Sequence, residues 1–243
     1  MIRCLIALAA AACLCGCATH YVTPSGRADF AAFTSQSIKE SFAATPATRF
    51  PAYIAVVRVQ APRYHSYLTD REGGVYGQGR YSIVTTRSVE DDADFQRLSG
   101  LMQVGGLVSL NALLLPQKLD SDRELREAAA RLKADMVLLY TFDTSFHENN
   151  SSAALTTISL GLAPTRNVFV HVTASALLID TRTGFIYGAI ESNEHRRMIT
   201  SAWVSQDAAD RARLDAEKTA FGQLISELEK TWPRIIERAG KGA

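Results

Sequence analysis

The sequence predicts an α/β (α+β) fold: a single three-layer-like domain with a mixed β-sheet, covering helices and a long C-terminal helix. Three observations lead to this prediction. Apolar runs typical of strands occupy residues 53–59, 136–142 and 168–180. A helical pattern separates the first two runs, and a longer one follows the last. Helices that alternate with strands and then close over them indicate a sheet covered by helices.

The first sixteen residues have the composition of an export signal. Arg3 is their only charged residue, and the stretch from Leu5 to Leu14 is apolar. A positive start and a short apolar run are typical of a secretory signal, whereas a permanent membrane span needs about 20 apolar residues. We therefore expect residues 1–16 to be a signal peptide.

The signal ends in Leu14-Cys15-Gly16-Cys17. An aliphatic residue, two small residues and a cysteine at this position resemble the lipobox of bacterial lipoproteins. The resemblance implies lipidation at Cys17, with acyl chains such as palmitate, and therefore a lipid bilayer as the first partner. Ala18 in place of an aspartate implies sorting to the outer membrane, and we expect the domain to face the periplasm. The alternative is an ordinary secretory signal that is cut elsewhere.

Cysteine usage and charge narrow the classes of function. All four cysteines lie at or before Cys17, so we expect neither a disulfide nor a cysteine metal site in the mature domain. Loss of Arg3 with the signal leaves 25 basic and 25 acidic residues. A domain with no net charge has no general attraction for nucleic acid, so we expect no nucleic-acid partner.

The chain after Cys17 divides into two parts. Residues 17–48 predict a lipidated tether with one short helix, and residues 49–243 predict the single α/β domain. A buried first strand follows Pro51 at residues 53–59, residues 61–80 predict a loop, and residues 81–86 a second strand. Gly73 to Arg80 within that loop is rich in glycine. A flexible loop is favoured over an anion cradle, because no helix start follows it.

Helix and hairpin signals mark the second half. Ser121 and Glu124 form a capping box that predicts a helix over residues 122–133. Strands are predicted at 136–142, 168–180 and 185–190, and an amphipathic helix at 207–238. In the turn between the last two strands, we expect Asp180 to accept hydrogen bonds from turn amides and Gly184 to take a positive φ. On this reasoning Asp180→Asn is milder than Gly184→Ala.

Two segments of the sequence resemble motifs of a known family. Residues 129–138 combine a helix end, Ala134-Asp135 and a strand, and residues 178–184 combine a strand with Asp-Thr-Arg-Thr-Gly. Both resemble periplasmic lipoproteins related to the curli-secretion channel and to the N-terminal domain of TolB. The resemblance implies a scaffold or an envelope-assembly role, not catalysis.

Motifs that carry chemistry are sparse. The sequence has no nucleophile elbow and no Walker loop, and His147-Glu148 lacks the second histidine of a zincin. His171 is expected to face away from Val170 and Val172 in its strand, as a surface residue and not a ligand. The cluster from Glu194 to Arg197 is expected to be solvated. We therefore expect no catalytic residue, no cofactor and no metal site.

Two stretches without charge, residues 98–117 and 149–165, allow two interpretations. They insert into the membrane, or they form a packed helix over the sheet and a mobile polar loop. The second interpretation is favoured, because polar residues such as Gln103 and Asn111 interrupt the first stretch. In the second stretch only Ile158, Leu160 and Leu162 alternate, whereas a membrane hairpin needs two strands of about ten residues. The leading function is a non-enzymatic, lipid-anchored envelope protein that binds or organises an envelope partner, or associates with itself. The alternatives are a subunit of an oligomeric outer-membrane pore or secretion complex, and a hydrolase of an envelope polymer.

Overall fold

A computed structural model of the chain describes residues 21–34, 37–150, 166–200 and 206–240. Its strands are Ala52–Gln60 (β1), Val75–Tyr76 (β2), Gln78–Gly79 (β3), Ser82–Val84 (β4), Val104–Ser109 (β5), Lys118–Leu119 (β6), Met136–Asn150 (β7), Arg166–Asp180 (β8) and Ile186–Thr200 (β9). The main sheet runs β2-β4-β1-β7-β8-β9, and β5 also pairs with β1. β1 is parallel to β5 and β7, and the other pairs in this sheet are antiparallel. The sheet is therefore mixed, as predicted.

Six helices are described in these residues. They are Phe30–Phe33 (α1), Ile38–Ala43 (α2), Tyr67–Glu72 (α3), Asp92–Ser99 (α4), Asp122–Arg131 (α5) and Gln206–Gly240 (α6). The predicted capping box starts α5, where the Ser121 amide donates to the Glu124 carboxylate at 2.9 Å. The capping box and the helix that closes the domain are confirmed.

Apolar side chains on both faces of the sheet form two core layers. One layer joins α6 and α4 to the sheet and contains Leu138 of β7 and Phe221 of α6, which are 2% and 0% exposed. The other layer joins α5 and α1 to the opposite face and contains Leu125 and Phe33. The sheet is thus covered on both sides, which confirms the α+β architecture.

Strands β7, β8 and β9 extend well past β1. Each has fifteen residues, whereas β1 pairs with β7 only over residues 54–57 and 136–139. We call the projecting part the distal end of the sheet; it comprises residues 143–150, 166–173 and 193–200. The opposite end, around Asp135 and the 181–184 turn, is the proximal end. The distal halves of β7, β8 and β9 extend beyond the part of β7 that pairs with β1, so other parts of the chain can pack beside them.

Within residues 21–48, expected to be a tether with one short helix, the stretch 21–34 packs on the domain, whereas α2 buries no side chain. Ala28 and Phe33 are 2% and 0% exposed, and the Ala28 amide donates to the Thr141 hydroxyl of β7 at 3.0 Å. Two short helices, α1 and α2, replace the single predicted one. This part of the chain fills the space beside β7 where β1 has ended.

The segment 61–80 is not the featureless loop predicted. It contains α3, which Ser66 caps through a hydrogen bond from the Thr69 amide, and the short strands β2 and β3. Gly79 has a φ of 132°, and a Cβ there would lie 2.4 Å from the Leu119 carbonyl oxygen. The close pairing of β3 with β6 therefore explains this glycine without an anion site.

The packed helix expected within residues 98–117 is also wrong. Residues 104–109 form β5, which adds to β1 in parallel, and Ala112–Leu114 form one short 3₁₀ turn. Polar and apolar residues mix along β5 because it lies at a partly exposed edge of the sheet. Of the second uncharged stretch, Asn149 and Asn150 end β7, and residues 151–165 lie outside the described residues.

Candidate functional site

Cys17, the predicted lipidation residue, lies outside the described residues, and the described chain begins at Tyr21. Tyr21 is fixed on the domain by one hydrogen bond and two aromatic contacts. The Tyr21 hydroxyl donates to the Asp210 carboxylate of α6 at 2.7 Å. Its ring centroid lies 5.0 Å from that of Phe146 in β7 and 6.4 Å from that of Tyr67 in α3. Burial raises the pKa of Tyr21, so the hydroxyl stays protonated and remains a donor.

Asp210 also belongs to a buried network of charged side chains beneath the sheet. Arg213 donates to Asp210 at 2.8 Å and to both oxygens of Glu217 at 3.0 and 2.9 Å. The Glu217 carboxylate accepts hydrogen bonds from the Arg58 guanidinium of β1 at 3.3 Å and from the Thr144 hydroxyl of β7 at 2.9 Å. The two arginines and Glu217 are no more than 3% exposed. The network therefore fastens α6 to two strands of the sheet.

Glu90 extends this network at the other side of Arg58. Its carboxylate lies 3.8 Å from the Arg58 guanidinium and accepts the Tyr140 hydroxyl at 2.7 Å. A cavity of about 60 Å³ beside Arg58 opens between β4 and β5. This space is well below the roughly 300–1,000 Å³ of sites that bind small organic molecules. The network is best explained as a device that holds the domain together.

Sequence reasoning missed this network, although one signal was present. Asp210, Arg213 and Glu217 are spaced three and four residues apart, which places them on one helix face. Ala209, Ala216 and Ala220, which are buried, lie along the same side of α6. A charged series on an apolar face indicates buried partners.

The opposite side of the sheet carries three histidines at its distal end. His147, His171 and His195 stand on β7, β8 and β9, with ring centroids 5.2 Å apart for the first pair and 4.5 Å for the second. The Nδ1 atoms of His171 and His195 are 2.5 Å apart. His171 faces away from the buried Val170 and Val172, as predicted. Burial, then His195 and His147, lower the pKa of His171.

Within the part of the chain that the structure describes, no three histidine, cysteine, aspartate or glutamate side chains are arranged to hold a metal ion. Of the Glu194–Arg197 cluster, Glu194 accepts a hydrogen bond from Gln223 at 3.0 Å, and Arg196 donates to Thr219 at 2.9 Å. The side chains of this cluster lie at the surface, with contacts to α6.

The predicted hairpin geometry is confirmed at the proximal end. Gly184 has a φ of 72°, and one carboxylate oxygen of Asp180 accepts the amides of Arg182 and Thr183 at 2.9 and 3.0 Å. The second oxygen has partners that the sequence did not indicate. It accepts the Ala47 amide at 2.8 Å, and also the hydroxyls of Thr48 and Tyr187 at 2.9 and 2.8 Å. Asp180 is fully buried and ties residues 47–48 to the hairpin.

A groove of about 350 Å³ lies between β9 and the C-terminal half of α6. Its apolar lining comes from both elements and from β8: Leu178, Tyr187, Ile190, Leu228 and Ile235. Gly188 forms part of the wall, and Arg234 and Arg238 also line it. A Cβ at Gly188 would have no atom within 4 Å, so the space beside it is open.

Beside this groove, β9 is the edge of the main sheet. Among the residues that are described, it pairs with β8 alone, over residues 186–200. An edge strand presents backbone donors and acceptors that can pair with another chain. The groove and the edge together form a candidate binding surface of the domain.

Comparison with known proteins assigns no family. No protein-family profile and no curated protein matches the chain. Among solved structures, a DUF330 protein from Xanthomonas campestris is 11% identical, with a TM-score of 0.38, and the match covers 82% of this chain and 95% of that one. A PelC dodecamer from Paraburkholderia phytofirmans is 14% identical, with a TM-score of 0.33 and coverage of 76% and 93%.

The lipoprotein GNA1162 from Neisseria meningitidis is 12% identical, with a TM-score of 0.29 and coverage of 76% of this chain and 99% of that one. All three TM-scores are below 0.5, so these likenesses assign neither a family nor a function. No helix within the described residues is long and apolar enough to cross a membrane.

Proposed function

We propose that this chain is a lipoprotein of the cell envelope, acylated on Cys17 and held at the outer membrane facing the periplasm, that binds an envelope partner and has no catalytic activity. The anchor part of the proposal rests on the lipobox at Leu14–Cys17. The binding part rests on one observation, the edge strand β9, which pairs with β8 alone among the described residues and lies beside an apolar groove.

The proposed partner is an extended segment of an envelope protein that adds to β9 as a further strand. Backbone pairing along an edge supplies affinity, and pockets for alternate side chains supply specificity. The groove offers such a pocket for an apolar side chain. Arg234 and Arg238 beside it favour an acidic residue in the same segment, because opposite charges attract across a partly desolvated interface.

The anchor is tested by Cys17→Ser. The variant should lose its lipid and leave the membrane fraction after a salt wash, since two or more acyl chains are needed for stable attachment. Retention of the variant in washed membranes would refute the proposed anchor.

The binding surface is tested by a photo-crosslinking residue at Ala189, which is exposed on β9. In the native envelope it should form a defined protein adduct that mass spectrometry identifies. Gly188→Leu should abolish the adduct, because the leucine side chain occupies groove space that opens beside Gly188, where an added Cβ has no atom within 4 Å. The matched control is Gly240→Leu at the end of α6, where a Cβ also meets nothing within 4 Å.

The identity of the adduct separates the possible occupants. A segment of another envelope protein supports the proposal. An adduct with a second copy of this chain, together with a large symmetric particle in detergent, would replace it with the oligomeric pore or secretion subunit. An adduct that survives Gly188→Leu, or no adduct, would refute the β9 surface.

A further inference from the structure

The short chain between Cys17 and Tyr21 restricts how the domain can sit on a membrane. Only Ala18, Thr19 and His20 separate the lipidated residue from the tyrosine that is fixed on the domain. Four residue steps of about 3.5 Å each span at most about 14 Å. Tyr21 therefore stays close to the bilayer into which the acyl chains of Cys17 insert.

Tyr21 marks the distal end of the domain. Phe146, against which its ring packs, lies four residues before Asn150, the last residue of β7. Asp210 lies in the first turns of α6. Tyr67, the first residue of α3, donates to Asp207 of α6 at 2.6 Å. Strand ends, the start of α3 and the start of α6 thus meet where the chain leaves for its anchor.

The opposite end of the domain is much farther away than the linker can reach. From Met136 to Phe146 the strand β7 rises about 33 Å, at about 3.3 Å per residue. The thirty-five residues of α6 run from the distal end to the proximal end. At 1.5 Å per residue this helix is about 52 Å long. Beyond Phe146, β7 continues to Asn150 for about 13 Å, which equals the reach of the linker.

We propose that the distal end of the sheet, with the starts of α3 and α6, rests on the phospholipid headgroup surface, and that the proximal end and the hairpin turn at 181–184 point away from the membrane. This inference rests on the lipidation at Cys17 in the proposed function. The binding partner of this distal surface is the lipid bilayer itself. Tyr21 and Tyr67 suit this position, because tyrosine has an apolar ring and a polar hydroxyl and favours the membrane–water boundary.

The test measures energy transfer from a fluorophore on the domain to acceptor lipids. Beyond Cys17 the sequence has no cysteine, so Ser145→Cys and Lys133→Cys each provide a unique reactive thiol once Cys17 is acylated. Both residues are exposed, the first at the distal end and the second just before β7 at the proximal end. The lipidated full chain is labelled and placed in phosphatidylethanolamine–phosphatidylglycerol vesicles that carry a headgroup-linked acceptor.

We expect strong transfer from position 145 and weak transfer from position 133. The control is a flexible Gly/Ser insert of about ten residues between Ala18 and Thr19, which leaves the lipid and the fold in place but lengthens the tether. The insert should reduce the difference between the two positions. Loss of the Tyr21 contacts through Tyr21→Ala should have the same effect, because the chain is then released farther into the domain.

The outcomes separate this inference from the proposed function. Protein that floats with the vesicles and shows equal or reversed transfer overturns the orientation but leaves the lipid anchor standing. Protein that does not float overturns the anchor, and the orientation with it. An unchanged difference after the ten-residue insert shows that something other than the short linker sets the orientation, and this also overturns the inference.

Discussion

The guanidinium of Arg58 in β1 lies 3.3 Å from the carboxylate of Glu217 in α6, and both side chains are buried. The two residues are 159 positions apart in the chain. Glu217 also accepts hydrogen bonds from Arg213 and from the Thr144 hydroxyl, so this one carboxylate links the closing helix to both β1 and β7. The start of that same helix holds Tyr21 through Asp210, so the network also fixes the place from which the proposed anchor leaves.

Glu217→Gln should therefore destabilise the domain strongly. The substitution keeps the volume but leaves the charges of Arg58 and Arg213 without their shared carboxylate, and breaking a buried pair costs about 3–5 kcal/mol. Urea unfolding should show a lower midpoint at an unchanged slope. Glu227→Gln is the control, since its pair with Lys230 is exposed and should contribute little. Equal midpoints for the two variants would contradict the structural role of the network.

Asp180→Asn should destabilise the domain by about 1–3 kcal/mol, because an amide leaves some of the buried donors without an acceptor. Each oxygen of Asp180 accepts at least two hydrogen bonds, and the NH₂ group of an asparagine cannot accept any. Gly184→Ala should cost about 1 kcal/mol or more, since alanine is strained at a positive φ. The asparagine variant is therefore no longer expected to be the milder of the two, because Asp180 has partners beyond its own turn. Thermal or urea unfolding of both variants measures the order directly.

The same aspartate predicts a contribution to acid sensitivity. Burial alone would raise the pKa of Asp180, but the amides of Ala47 and Thr183 and the hydroxyls of Tyr187 and Thr48 outweigh burial and hold the pKa below its ordinary value. A carboxyl whose pKa is lower in the folded state stabilises the fold above its unfolded pKa of about 3.9 and loses that contribution as the pH falls through the folded value. Unfolding experiments from neutral to acid pH should therefore show a smaller loss of stability in Asp180→Asn than in the original chain.

Leu138→Ala should cost about 2–5 kcal/mol, the range for truncation of a buried leucine. Leu138 is 2% exposed on β7 and belongs to the core layer that includes Phe221. Leu113→Ala is the matched control, because Leu113 is 90% exposed and its truncation removes little buried surface. A denaturant midpoint for Leu138→Ala equal to that of the control would refute the central position of β7.

His171 should titrate below the ordinary range for histidine in an NMR pH titration of its ring. Burial, then the neighbouring His195 and His147, disfavour its charged form and lower its pKa. His195→Asn should raise the pKa of His171, since it removes the nearest ring that becomes cationic. No change in that value would show that the two rings do not share this environment in solution.

A histidine with a lowered pKa also has a defined effect on stability. The unfolded chain binds the proton more readily than the folded chain does. His171 therefore does not reduce the free energy of unfolding above its unfolded pKa, but it lowers that free energy as the pH falls through its folded pKa. Because the cluster lies near the surface, solvent reduces this effect. The ring titration is therefore the sharper measurement.

Local patterns in the sequence were enough to predict several elements. The capping box at Ser121 and the positive φ at Gly184 follow from contacts between residues two to four positions apart, which a sequence displays directly. The closing helix followed from its apolar period over about six turns, and β1 and β7 followed from their largely apolar runs. Placement of Leu138 and Phe221 in the core followed from the same patterns.

The sequence by itself determined the α+β class, the hairpin chemistry and the expected lipidation at Cys17. Only the tertiary structure decided that residues 104–109 form a strand, because β5 exists through pairing with β1, some fifty residues earlier in the chain. Only the tertiary structure shows that Arg58 is buried against Glu217. In a sequence a charged residue is expected to be solvated, unless folding brings an opposite charge to it from a distant element. The tertiary structure also fixed Tyr21 on the distal end. The hydrogen bond from Tyr21 to Asp210, 189 positions away, cannot be predicted from local sequence patterns, because these two residues come together only when the chain folds.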